Sequence, residues 1–307
     1  MERVMKTDGK ASRQGNGGHA RRIFYDRCGR YLFIASACLM TLIIFSIIFF
    51  VGRQGLMTLS DVSLTEFFFS GDWNPSAKKF GALAFIMGSL ETTLLSVLIG
   101  APLGLLGAIF LAKLAPMGLK RIMRPAVDLY VAIPSVVYGY VGLTLFIPFL
   151  RKTFATPTGF GVLAASLVLA IMIMPTILSI STDALNAVPH TLEEASYALG
   201  ATWWQTMYHV VLPAAIPGVM TSIVLAMARA VGETMAVQML IGNTPQIATS
   251  LFSPTATLTS NIVVEMGNTP FGSAWGNALF LMAFVLLIIS LGMILLIRYF
   301  TGKKVAV

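Results

Sequence analysis

Six long apolar runs, near 31–51, 82–112, 126–150, 160–182, 214–241 and 275–299, alternate with shorter polar segments along the chain. A helix needs about 20 apolar residues to cross the hydrocarbon core of a bilayer, and each run is of that order. The pattern predicts an all-α integral membrane protein with six transmembrane helices. The first run, Tyr31–Val51, is longer than the apolar core of a signal peptide, which is about 7–15 residues. Gly52, Arg53 and Gln54 follow it, with no small-residue cleavage site. It is therefore expected to be retained as an anchor.

Proline interrupts several runs, at Pro102, Pro134, Pro148 and Pro175. Each removes a backbone donor and bends its helix. Membranes tolerate such breaks where a neighbouring helix or a wet cavity takes up the freed carbonyls. Gly100, Gly104 and Gly107, around Pro102, predict close helix packing.

Composition agrees with the pattern. The 307 residues are 56% hydrophobic and 11% charged, against about 25% charged in a soluble domain. A net charge of +8 raises the question of nucleic acid. The basic residues flank apolar runs and form no continuous binding face, so nucleic acid is excluded as a partner and the charges are read as topology signals. Eight fall in the N-terminal tail, four between the second and third runs and three at the C-terminal end (Arg298, Lys303 and Lys304), against five in the intervening connections (Arg53, Lys78, Lys79, Arg151 and Lys152). By the positive-inside rule both termini are expected in the cytoplasm of a bacterial cell, with the chain multi-pass in its inner membrane. The expected plan is a basic tail over 1–30 without fixed structure and a first helix with an external loop over 31–80. A core over 81–299 with a cytoplasmic loop at 183–213 follows, then a short tail over 300–307.

No enzymatic constellation is visible. His19, His190 and His209 form no HExxH, and neither a GxSxG elbow nor a phosphate-cradling GxxxxGK[ST] loop is present. Cys28 and Cys38 would stand about 15 Å apart on a helix, beyond the ~7 Å reach of a disulfide. No metal or cofactor is implied, and the chain is not expected to hydrolyse nucleotide. Energy for uphill transport would come from another chain or from an ion gradient.

The loop 183–213 breaks the charge rule, with no Lys or Arg but with Asp183, Glu193 and Glu194. Its sequence reads as helix, break, helix. Pro189 can open the first helix, Thr191 and Glu194 have capping-box spacing, and Gly200 is a natural stop. Glu194-Ala195-Ser196, then Gly200, then Val210, Leu212 and Pro213, resembles the E-A-A-x3-G-x9-I-x-L-P loop of ABC importer permeases. Ser196 and Val210 depart from it but keep the size class. In that family the loop is a coupling helix that docks on a separate ATPase. The resemblance therefore implies coupling roles for Glu193, Glu194, Ala195, Ser196, Gly200, Leu212 and Pro213, and supplies the missing energy source.

Arg229 and Glu233 stand four apart inside the fifth run, the spacing of a paired charge on one helix face. Arg229 lies about 20 Å along a helix from Ile216. A charge at that depth costs about 2.5–3.5 kcal/mol on the insertion scale and marks a substrate route. The guanidinium fork suits an oxyanion. The carboxylate repels anions unless they bring a proton, as phosphate does at neutral pH and sulfate does not. Inorganic phosphate is the substrate this pair favours. Ser135 and Tyr138, beside Pro134, are further pathway candidates. Glu91 can be interfacial or pathway-lining, and Asp128 is expected at an interface within reach of Arg124.

Three segments narrow the resemblance. ARAVGETMAVQMLIGN (228–243), AIPSVVYGYVGLTLFIP (132–148) and IMIMPTI (171–177) are similar to the C-type permease of phosphate-specific ABC importers (PstC-like). The likeness covers about 80–299. It implies a type I importer permease paired with a second permease (PstA-like), ATPase subunits (PstB-like) and an external phosphate-binding protein (PstS-like). It also implies alternating access driven through 193–213. A permease for another oxyanion or small solute, and an ion-coupled secondary transporter using Arg229 and Glu233 as a relay, remain as alternatives.

Overall fold

The structure is a computed structural model that describes residues 8–270 and 272–302. The chain divides into two units, one up to Arg53 and one from Gln54 onward. Helix α1 (Asp8–Leu56) accounts for the first. It begins inside the tail expected to lack structure and contains no proline, so no residue removes a donor from its ladder. Residues 1–7 of that tail and 303–307 of the C-terminal tail lie outside the described residues.

From Gln54 the elements are α2 (Leu64–Phe69), a two-stranded hairpin β1 (Trp73–Asn74) and β2 (Lys79–Phe80), α3 (Leu83–Ile109), α4 (Met117–Ala132), α5 (Ser135–Val141) and α6 (Ile147–Phe154). There follow α7 (Val162–Asn186), α8 (His190–Ala198), α9 (Trp203–Thr206), α10 (Leu212–Gly232), α11 (Met235–Gln238), α12 (Leu258–Met266) and α13 (Ala274–Gly302). Single π-helical turns at Phe110–Leu114, Gly142–Phe146 and Met207–Val211 join neighbouring helices. Among the described residues, five helices are long and apolar enough to span a membrane, and a sixth span requires counting α4 and α5–α6 together.

Helices α3 and α7 form the closest pair. Gly100, Gly104 and Gly107 line one face of α3, and a Cβ on Gly104 would fall 2.9 Å from the Ile177 Cβ. The close approach thus depends on a missing side chain, as the glycine spacing predicted. Small hydroxyls between the helices bond within the protein. Thr92 Oγ1 donates to the Gly88 carbonyl at 2.7 Å, and the Ser181 and Ser222 hydroxyls join α7 to α10 at 2.8 Å. Ile173, Ile177, Ala226, Ala230, Leu240 and Ile241 form the central core. At the hairpin end Phe67, Phe80, Phe85, Leu258, Leu279 and Met282 form a second core. There the indoles of Trp73 and Trp275 both donate to the Glu265 carboxylate, at 2.8 and 2.6 Å. At the α8 end Ala108, Leu185, Met207 and Val211 form a third.

Two of the six expected spans differ from their runs. The run 126–150 is bent by 90° between α4 and α5. Ile133 is extended, at φ −64° and ψ 129°, because a residue before proline is pushed out of the helical region. The run 214–241 is not one helix. Helix α10 ends at Gly232 and Glu233 is extended, at φ −68° and ψ 129°. The apolar residues beyond, Ala236, Val237, Leu240 and Ile241, are buried in the chain's own core. Their hydrophobicity reflects protein packing, not a lipid-facing helix.

Gly104→Leu is expected to lower the thermal unfolding midpoint of the purified protein by forcing α3 from α7. Overpacking of this kind costs about 1–3 kcal/mol. Unfolding scans in detergent, beside the exposed change Leu98→Ala as control, measure it.

Candidate functional site

The helix break at Ile133–Pro134 and the end of α10 at Gly232 create the central site. Tyr138, one turn into α5, donates its hydroxyl to the Tyr130 carbonyl at 2.7 Å. That carbonyl, in the last turn of α4, also accepts from the Ile133 amide at 3.3 Å. The two rings lie 5.2 Å apart and hold the corner. Ser135 opens α5 and is half-buried.

Arg229 stands in the last turn of α10, half-buried. A cation there is favoured by the partial negative charge of the helix C-terminus. Its Nη1 donates to Thr176 Oγ1 on α7 at 3.5 Å, a long contact. The site thus brings the guanidinium of α10 to a hydroxyl of α7.

Glu233 is held differently from the expected i,i+4 pair. Among the described residues it forms no ion pair with Arg229. The helix ends between them, so the spacing rule that brings their side chains together no longer applies. Glu233 Oε1 instead accepts from the Ala236 amide at 3.4 Å, at the start of α11. Its carbonyl accepts from Thr259 Oγ1 on α12 at 3.1 Å. Both Arg229 and Glu233 stay half-buried, so neither is sealed within a dry core of this chain. Arg229 and Ile216 both lie on α10, with Arg229 in its last turn and not in mid-helix. Thr176 and Thr259 were not foreseen. Thr176 had a signal, as the one hydroxyl in the apolar stretch IMIMPTI beside Pro175.

The loop at 183–213 folds as helix, turn and helix. Gly200 terminates α8 with φ +82°, a region that favours glycine. The capping box lies elsewhere than expected. Pro189 precedes α8 without a side-chain cap, while Thr202 and Gln205 cap α9 reciprocally. Glu193 points inward, its Oε1 2.5 Å from Lys113 Nζ, both side chains largely buried. Ser196 bonds Thr206 at 2.9 Å. Leu212 packs on the third core. Glu194, Ala195, Gly200 and Pro213 are exposed. Beside them Leu199, Trp204 and Tyr208 present 90%, 68% and 70% of their surface to solvent, an apolar patch on an acidic segment. The expected coupling residues therefore divide into an inward set and an outward set. Asp128 is not the partner of Arg124; Asp183 on α7 is, at 3.2 Å. Glu91 is half-buried on α3.

Comparisons with known proteins agree with this architecture. The chain is 48% identical over 280 residues to the probable ABC transporter permease protein YqgH of Bacillus subtilis, covering 90% of this chain and 91% of that one. It is 39% identical over 253 residues to the phosphate transport system permease protein PstC of Mesorhizobium japonicum, covering 76% and 77%. Its fold is similar to a chain of a bacterial ABC transporter involved in import of the acidic polysaccharide alginate. There the TM-score is 0.61 at 15% identity, over 92% of this chain and 99% of that one. Residues 104–304 match the binding-protein-dependent transport system inner membrane components, and the chain belongs to that family of multi-pass permease subunits.

Proposed function

We propose that this chain is a permease subunit of an ATP-driven importer of inorganic phosphate, with Arg229 as the residue that meets the anion. The observation that carries this reading is the placement of Arg229. Its guanidinium sits at a helix end, half-buried, with one long hydrogen bond to the Thr176 hydroxyl. Guanidinium offers five donors, and that bond engages one of them. The likeness to a phosphate transport permease supports phosphate as the anion.

Glu233 contributes an acceptor. A carboxylate has about four lone-pair sites, and the Ala236 amide uses one. A hydrogen-bearing phosphate can donate to another, whereas sulfate offers only oxygen to a carboxylate. Leaving a buried acceptor unpaired costs about 1–3 kcal/mol, before like-charge repulsion is added. Ser135 stands one helical turn from Tyr138 on the same face of α5 and belongs to the same route.

The energy source is a separate ATPase (PstB-like) docked on the outward set Glu194, Ala195 and Gly200 with the apolar patch of Leu199, Trp204 and Tyr208. A second permease (PstA-like) completes the path, and an external phosphate-binding protein (PstS-like) delivers the anion. Both termini and α8 lie on the cytoplasmic side, where the basic residues concentrate.

In proteoliposomes holding the full complex, Arg229→Lys is expected to lower phosphate uptake about tenfold, because a point charge does not replace a planar fork. Undiminished uptake removes Arg229 from the route. Glu233→Gln is expected to narrow the preference for phosphate over sulfate by about tenfold; competition of radiolabelled phosphate uptake by sulfate measures it. Gly200→Pro removes the amide that bonds the Tyr197 carbonyl at 2.9 Å and forbids the observed φ. ATP hydrolysis is expected to continue in that variant while uptake fails, read by parallel phosphate-release and uptake assays.

A further inference from the structure

Helix α8 is joined covalently to α7 through residues 187–189 and to α10 through α9 and the π-helical turn at Met207–Val211. Its polar link to α3 is the Lys113–Glu193 pair. Lys113 lies in the π-helical turn Phe110–Leu114 that ends α3. Its ammonium stands 2.5 Å from Glu193 Oε1, with side chains only 10% and 15% exposed. Such a pair is shielded from the solvent screening that weakens surface ion pairs. His190 Nδ1 lies 3.9 Å from the same oxygen but is itself 82% exposed, so lysine is the principal partner.

The pair is part of a larger arrangement. Glu193 and Ser196 are three apart and share one face of α8. Glu193 reaches α3 and Ser196 reaches Thr206, immediately before the next π-helical turn. Lys120, at the start of α4, donates to the Ala112 carbonyl at 2.8 Å, closing the turn that carries Lys113. π-Helical turns are local irregularities in the ladder, frequent at functional positions. Here one stands at each polar tether of α8. Glu194, next in sequence to Glu193, is exposed on the other side.

We propose that Lys113 and Glu193 are a positioning pair that carries displacement of α8 into α3, so that Glu193 acts inward as a lever arm and does not meet the ATPase. The proposal rests on the reading of the chain as an ATP-driven permease whose α8 docks on that ATPase, but not on phosphate as the solute. Helix α3 packs along α7, so a shift of its end at Lys113 reaches the central site beside Thr176.

The test measures solute uptake and ATP hydrolysis together in proteoliposomes of the assembled complex. Lys113→Met and Glu193→Gln are each expected to lower solute moved per ATP by about tenfold, within the usual range of coupling between sites. Hydrolysis and the amount of assembled complex are expected to persist. The reciprocal exchange, Lys113→Glu with Glu193→Lys, is expected to restore the ratio, and Lys113→Arg to preserve most of it. Should a single variant fail to assemble, Glu193→Asp keeps the charge while shortening its reach, and an intermediate ratio is expected. A merely structural pair would lower assembly and both rates in parallel at an unchanged ratio, and that result overturns the proposal. An exchange that restores nothing overturns it as well. A wild-type complex that hydrolyses no ATP overturns the importer reading and the lever with it, whereas wild-type ratios in the variants overturn the lever alone.

Discussion

Backbone groups freed inside an apolar medium must find partners within the protein, because an unsatisfied group there costs several kcal/mol. This constraint shapes the centre of the molecule. Where α4 stops, the Tyr138 hydroxyl joins the Ile133 amide on the Tyr130 carbonyl. Where α10 stops, Thr259 takes the Glu233 carbonyl and Glu233 takes the Ala236 amide. Where α12 starts, Ser89 on α3 accepts from the Leu258 amide at 2.9 Å. Each interruption is closed by a side chain from another element, and those side chains draw the interrupted helices into one place. The guanidinium of Arg229 sits among these closures. The helix end gives it a favourable field, and the turn after Gly232 gives it room.

Much of this was legible from sequence because it follows from local rules. Glycines at 100, 104 and 107 repeat at helical spacing, and they do face α7. Gly200 does take the positive φ that ends α8. Ile133 is displaced from helical geometry by the proline after it. What was not legible depends on tertiary context. Hydropathy does not distinguish a residue facing lipid from one buried in protein, so residues 235–241 extended the fifth run although Val237, Leu240 and Ile241 belong to the core. The spacing of Arg229 and Glu233 predicts contact only on a continuous helix, and the helix ends between them. Glu193 and Glu194 are neighbours of the same type, and only the position of Lys113, 80 residues away, turns one inward. Thr202 and Gln205 have the same reciprocal spacing as Thr191 and Glu194, and nothing local decides which pair caps.

The segment at the α8 end joins two surfaces with opposite requirements. Its inner face is tied by an ion pair, a hydroxyl pair and the packing of Leu212. Its outer face leaves Leu199, Trp204 and Tyr208 exposed, and no other described residue covers them. Exposed apolar side chains of this kind mark a contact with protein or membrane. The absence of Lys and Arg between 183 and 213 then has a physical account. The one carboxylate of the segment that is largely buried is neutralised by Lys113, and Glu194 is left exposed.

At the opposite end, Glu265 receives the indoles of Trp73 and Trp275 on its two oxygens. Trp73 lies 192 residues before its acceptor, and α3 to α11 are inserted between them. Glu265 is synthesised long after Trp73, so this junction forms only once the chain between them has been made. Once tied, hairpin, α12 and the start of α13 share a single anchor, and a pull on any of them is transmitted to the other two.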